Sequence, residues 1–135
     1  MHYILDACAL LAFLNDEEGA GKIEDLLERS ASDVSISISI VNLLEVYYGE
    51  LHDKGSNIAQ IVLDVVQHYS IKVVNTISEY AFQEAARLKA TYKMSLADCI
   101  GLATAIELSG EFVTSDHHEL DVVAKNEPIP IFWFR

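Results

Sequence analysis

The chain has 135 residues, 51% of them hydrophobic, with 21 acidic against nine basic side chains and a formal charge of −12. That length allows one domain with a sizeable core and the composition excludes a disordered chain; no apolar run reaches the roughly 18 residues of a membrane-spanning helix, and no Lys or Arg precedes the apolar start that Asp6 interrupts, which argues against a signal peptide. So acidic a surface repels nucleic acid and favours cationic partners, while two cysteines, Cys8 and Cys99, are too few for a disulfide framework, lack metal-ligand spacing and read as small buried residues in a reducing cytoplasm.

Residues 2–6 read as an apolar strand that stops on Asp6 and passes at once into a helix from Ala7. Ile23, Leu26 and Leu27 mark a second helix, and Val-Ser-Ile-Ser-Ile at 34–38 a second strand. Residues 40–48 are apolar or aromatic except Asn42 and Glu45, the pattern of a buried helix. Residues 52–57 read as the clearest loop, with Ser56 or Asn57 as cap of the next helix. There, Ile58, Ile61, Val62, Val65, Val66 and Tyr69 trace an apolar stripe. A strand follows at 71–74, then a helix marked by Ala81, Ala85, Leu88 and Tyr92. In 96–108 the only charges are Asp98 and Glu107, again a buried helix. Strands at 112–114 and 129–134 close the chain, the last suited to a sheet edge by Pro128 and Pro130. Strands alternating with helices predict one α/β domain over 1–135, a mostly parallel sheet covered on both faces.

Four acids stand in unusual places. Asp6 and Asp116 end strands, where open α/β sheets gather their sites; Glu45 and Asp98 lie in apolar helices, where an unpaired carboxylate is costly. Each has a local alternative. Asp6 caps the helix from Ala7, Ser95-x-x-Asp98 fits a capping box, and Asp116-x-x-Glu119 fits a cap for a short final helix. Only Glu45, deep in its helix with no Lys or Arg within a turn, resists that explanation. Gathered on one sheet edge, the carboxylates would repel one another unless a hard cation such as Mg²⁺ or Mn²⁺ relieved them. Such ions serve phosphodiester hydrolysis.

In sequence these residues lie within Ile4-Leu5-Asp6-Ala7-Cys8-Ala9-Leu10-Leu11, Asn42-Leu43-Leu44-Glu45-Val46-Tyr47-Tyr48-Gly49, Leu96-Ala97-Asp98-Cys99-Ile100-Gly101-Leu102-Ala103 and Val113-Thr114-Ser115-Asp116. In order and spacing the four stretches resemble the motifs of PIN-domain ribonucleases, most closely toxins of the VapC type, over essentially the whole chain. The resemblance implies a three-layer PIN-like sandwich in which Asp6, Glu45, Asp98 and Asp116 form a metal-binding catalytic cluster. It further implies one or two Mg²⁺ or Mn²⁺ ions, an RNA substrate, a homodimer and a cognate antitoxin. Thr114 or Ser115 would help hold the fourth acid, the metal or the attacking water, a turn or cap being the local alternative.

Cations are scarce. Arg87, Lys89 and Lys93 run toward the Asp98 motif, where Arg87 and Lys93 are candidates for phosphate contact, against the alternative of a solvated helix face. His117 and His118 read as first-turn surface residues, and Tyr47 and Tyr48 as core or dimer surface. Two other classes compete: a non-catalytic binding module of the same fold, and a receiver-like Mg²⁺-binding phosphoacceptor domain. A haloacid-dehalogenase-type phosphatase fails, because Cys8 stands where it needs a second Asp.

Overall fold

A computed structural model describes residues 1–135. Its elements run β1 (His2–Leu5), α1 (Ala7–Leu14), α2 (Ala20–Arg29), β2 (Ser35–Ser39), α3 (Ile40–Lys54), α4 (Ser56–His68), β3 (Lys72–Val74), α5 (Glu79–Thr91), α6 (Leu96–Glu107), β4 (Glu111–Thr114), α7 (His117–Asn126) and β5 (Ile131–Trp133). The five strands form one sheet in the order β3-β2-β1-β4-β5, every pair parallel. From β1 the chain winds outward through β2 to β3, then returns to lay β4 and β5 on the other side. The strand order therefore reverses between β1 and β4, and their carboxyl ends bound the crevice where such sheets hold ligands.

Alternation along β1 and β4 divides the core between the two faces, as strands buried on both sides require. Leu5 and Val113 join a cluster with Leu10, Ile23, Leu27, Ile38, Val46 and Val62; Ile4 and Phe112 join one with Leu88, Leu102, Leu120 and Val123. The helices thus form two layers about the sheet. No helix is long and apolar enough to cross a membrane.

Two expectations are corrected. Residues 52–57 are not a loop: α3 runs to Lys54 and α4 starts at Ser56, with Gly55 alone between them. Gly55 has φ 90° and serves as N-cap itself, without a side-chain cap from Ser56 or Asn57. A single residue in that backbone region turns the chain, so the polar run 52–57 is helix surface. Nor is α3 buried all round. Asn42, Leu43, Val46 and Glu50 face inward, but Leu44 and Tyr48 are each 58% exposed and Ile40 and Leu51 are also exposed, at 40% and 42%. By contrast α6 is buried from Cys99 to Ala105 without a break. The sheet and α6 cover one side of α3, and the other lies open beside Ile58, Ile61 and Leu63 of α4, also exposed.

Candidate functional site

Asp6 follows β1, its N–H donating to the Val113 carbonyl at 3.1 Å as though the strand ran one residue further. Its side chain turns to cap α1, Oδ1 accepting from Ala9 N–H at 2.7 Å, and is only 1% exposed. Cap and site are therefore compatible roles. On the neighbouring strand Thr114 is fully buried. Its Oγ1 accepts from Asp116 N–H at 3.1 Å, and its hydroxyl hydrogen-bonds the Asp6 carboxyl. Thr114 thus ties the two strand-end acids together. Burial lifts the Asp6 carboxyl to about 7, with Asp116 and Glu45 pushing the same way and the bonds from Thr114 and Ala9 opposing.

The helices behave less locally than their sequences suggest. Ser95 caps α6 with its Oγ accepting from Asp98 N–H at 3.1 Å, and Asp116 caps α7 by accepting from Glu119 N–H at 3.1 Å. In a closed capping box the acid three residues after the cap, in the helix's first turn, returns to the N–H of its own cap residue. Here neither does. Glu119 reaches across to Ser95 N–H at 3.3 Å, 24 residues away in sequence. Thr114 takes Asp116 N–H in its stead. Opened in this way, the boxes turn Asp98, Asp116 and Glu119 together, with carboxylate oxygens within 4.8 Å of one another. The Asp98 carboxyl is pushed well up, first by burial and then by its hydrogen bond to Glu119 and the charges of Asp6, Glu119 and Asp116.

Glu45, half-buried on α3, completes the set from the Asp6 side. Its Oε1 accepts from the Asn42 side chain at 3.4 Å. Asn42 is fully buried, its carbonyl oxygen taking a bond from Ser39 Oγ at 3.3 Å. A Cβ at Gly101 would stand 2.6 Å from Asn42 Oδ1 and 2.8 Å from the Phe112 ring. Gly101 therefore sets how closely α6 approaches the residue that orients Glu45. Gly101→Ala should destabilise the protein by about 1–3 kcal/mol through overpacking, read as a lower melting temperature; an unchanged transition would show that Asn42 and Phe112 yield freely.

Asp6, Glu45, Asp98 and Asp116 thus come to one crevice, but the tight threesome is Asp98, Asp116 and Glu119. Sequence reasoning gave Glu119 only a capping role. Its position three residues after Asp116 was the available signal, and the contact with Ser95 was not. Oxygens bound to one Mg²⁺-sized ion, each about 2.1 Å from it, lie within roughly 4.2 Å of one another. Small side-chain adjustments bring the three carboxylates to that spacing, so their geometry and hard oxygen chemistry fit a divalent cation.

The neighbouring side chains sort themselves clearly. Cys8 sits beside the acids and is held as a thiol, burial and the charges of Asp6, Asp98 and Asp116 raising it to about 12. Arg87, a candidate for phosphate, is committed elsewhere: its guanidinium pairs with Glu84 at 2.6 Å and Glu127 at 2.8 Å, and Tyr92 bonds the same Glu127. That triad joins α5 to the end of α7, leaving Arg87 no free donor edge toward the crevice. Ser115 Oγ instead accepts from Arg135 at 3.1 Å, a cation that also bonds the Glu18 carbonyl and lies 3.4 Å from Glu17. Nothing in the local sequence announces Arg135. His117 stacks on Trp133 with ring centres 4.0 Å apart. Its two ring nitrogens meet two acceptors, the Arg135 carbonyl and Asp121, which together raise its affinity for a proton. His117 fastens the end of the chain beside the crevice.

Comparisons with known proteins agree with this architecture. The sequence model for the PIN domain matches residues 3–126. A comparison with curated proteins gave no match. Among solved structures the chain is similar to VapBC2 from Rickettsia felis bound to a DNA fragment from its promoter, with a TM-score of 0.78, 18% identity and 98% of each chain covered. It is similar to VapBC-1 from nontypeable Haemophilus influenzae, with a TM-score of 0.74, 14% identity, and 99% of this chain and 98% of that one covered. It is also similar to VapC20 from Mycobacterium tuberculosis, described as a toxin cleaving the sarcin–ricin loop, with a TM-score of 0.68, 12% identity, and coverage of 92% and 95%. At such identities the likeness is one of fold.

Proposed function

Because the chain belongs to the PIN domain family, we propose that it is a ribonuclease that hydrolyses RNA phosphodiester bonds with Mg²⁺ or Mn²⁺, and that it acts in the cytoplasm as the VapC-type toxin of a toxin–antitoxin pair. One observation carries this reading. Five acids from four separate segments converge at the strand-order reversal, and two capping boxes are opened to bring them there. Structural acids do not need that arrangement; a cation-binding centre does.

In this reading Asp98, Asp116 and Glu119 hold the ion, with Asp6 and Glu45 completing its surroundings from the β1 side. The bound cation supplies positive charge that makes water more acidic and offsets charge on the phosphoryl oxygens. Thr114 keeps Asp6 and Asp116 in fixed relation, and Asn42 keeps Glu45 turned inward. The buried floor of α6 excludes bulk water from the rear of the site. The test is incubation with transfer, ribosomal and messenger RNAs in Mn²⁺ or Mg²⁺, with chelation as control. Chelator-sensitive cleavage is expected, and none with any RNA would overturn the reading. A separate measurement reports on the fifth acid. Glu119→Gln should lower metal affinity by about tenfold or more, seen as a smaller Mn²⁺-induced rise in melting temperature; an unchanged rise would exclude Glu119 as a ligand.

The antitoxin and a second copy of the chain are proposed as partners on different grounds. A groove lined only by Ile40, Leu43, Leu44, Tyr47 and Leu63 runs between α3 and α4. So continuous an exposed apolar strip on a soluble domain marks an interface. A formal charge of −12 suits a partner with basic residues.

A further inference from the structure

A nuclease this acidic needs a place for the RNA phosphates that flank the reacting one. Of the nine basic side chains, Arg29, Lys54, Arg87 and Arg135 are in ion pairs with acids. Five lysines are left, and two of them, Lys89 and Lys93, line a single cavity of about 480 Å³ with Met94, Ser95, His118 and Glu119. That cavity opens at the turn between α5 and α6 and is closed on the far side by the first turn of α7. Lys89 is anchored, its Nζ donating to the Met94 carbonyl. Lys93 is exposed and makes no ion pair, and His118 is exposed opposite it.

The cavity is also polarised. Its one acid, Glu119, is the residue that crosses to Ser95 N–H and joins Asp98 and Asp116. One end is therefore the acidic centre itself and the other carries the two ammonium groups, Lys89 anchored to the Met94 carbonyl and Lys93 without an ion pair. A phosphodiester strand with one phosphate at the acidic centre has its next phosphate to one side, and this side offers lysines outside any ion pair, whereas Arg135 beside Ser115 is paired with Glu17.

We propose that this cavity is an RNA subsite that seats the phosphate adjacent to the scissile one, with Lys93 and His118 as its direct contacts and Lys89 as the fixed charge behind them. The proposal rests on the ribonuclease reading and adds where the strand leaves the centre. It also gives the isolated Lys93 a function that Arg87, tied to Glu84 and Glu127, cannot share.

Cleavage kinetics on short single-stranded RNAs of stepwise length, trimmed from either end, test it. Lys93→Ala should raise KM roughly three- to tenfold, the range for one partly exposed charge-assisted contact, with kcat little changed. The logarithmic dependence of kcat/KM on salt should become shallower by about 0.7, one single-strand phosphate contact. Lys72, on the edge strand β3 and separated from β4 by β2 and β1, is the control: Lys72→Ala should match wild type. The Lys93→Ala deficit should also disappear once trimming from one end removes the nucleotide that reaches the cavity. Equal effects of Lys93→Ala and Lys72→Ala, or a deficit independent of length at both ends, would overturn the subsite while leaving the nuclease intact. If wild type cleaves none of these short RNAs but cuts transfer, ribosomal or messenger RNA, the ribonuclease reading stands; if it cuts no RNA at all, that reading falls. Fluorescence anisotropy of the same RNAs then decides the cavity by itself, and equal binding to wild type and Lys93→Ala overturns it.

Discussion

Asp98→Asn is expected to reduce RNA cleavage by a hundredfold or more while leaving a folded and, without metal, more stable protein. The first half follows from placement. Asp98 is one of three carboxylates whose oxygens lie within 4.8 Å of one another, and removing even one preorganised neutral donor from an active site costs about 10²–10³ of the rate, a scale the loss of a charged group at this centre should at least match. The second half follows from cost. Asp98 sits in a helix buried along most of its length, and burial together with Glu119, Asp6 and Asp116 disfavours its charge. Asparagine keeps the shape without the charge, and the cap survives, since Ser95 Oγ accepts from the backbone N–H of residue 98. A residue kept for stability would respond in the opposite sense, with intact activity and a lower melting temperature. Asp6→Asn adds a sharper version, because asparagine caps a helix about as well as aspartate. Loss of metal response in a folded Asp6→Asn protein would assign Asp6 to the site over and above its cap on α1. Equal cleavage by wild type and both variants would sink the metal-dependent nuclease reading and leave a binding module of the same fold.

With divalent metal removed by chelation, the protein should lose stability as pH rises from about 4 to 8, and Mn²⁺ should restore it. In the unfolded chain Asp6 ionises near 3.8, whereas in the fold its carboxyl is held up to about 7. Between those values the folded state binds more protons than the unfolded one, so the stability present at low pH is lost as pH rises through the folded value. The gap corresponds to roughly 4 kcal/mol for Asp6 alone, and Asp98 acts in the same direction. His117 also contributes to this fall: its raised proton affinity stabilises the fold only while it is protonated. The share of the acidic cluster is therefore read from the difference between wild type and Asp6→Asn, whose slope should be visibly flatter. A bound cation replaces the missing protons, so the metal-induced rise in melting temperature should be larger at pH 8 than at pH 6. A chelated protein with a flat profile, or one whose slope Asp6→Asn does not change, would mean that the acids do not crowd one another.

Most of the architecture was legible because it rests on local pattern. Apolar runs of strand length, 3.6-residue stripes and the Asp6 and Ser95 caps are encoded within a few residues, and each of those two residues does accept from the N–H three residues on. The misplaced loop at 52–57 shows where pattern misleads. Polar residues mark exposure, and an exposed helix surface and a loop look alike unless the turning residue is identified as Gly55. For α3, the apolar pattern correctly gave a helix but could not tell a buried face from an exposed apolar one, since both are written in the same residues.

What the chain by itself determined was the position of Asp6 and Asp116 at strand ends, of Glu45 and Asp98 inside apolar helices, and hence an α/β sheet with acids at one edge. The tertiary structure decided which partners those acids have. Glu119 left its own capping box for Ser95, and Arg87 was withdrawn to Glu127, 40 residues away. Arg135 reached Ser115 from the far end of the chain. The physical reason is common to all three. A cap or a hydrophobic stripe is satisfied within one or two turns of helix and so leaves its mark on neighbouring residues. A carboxylate or guanidinium takes the best oppositely charged or hydrogen-bonding group that the fold brings near, and only the packed chain determines which group that is.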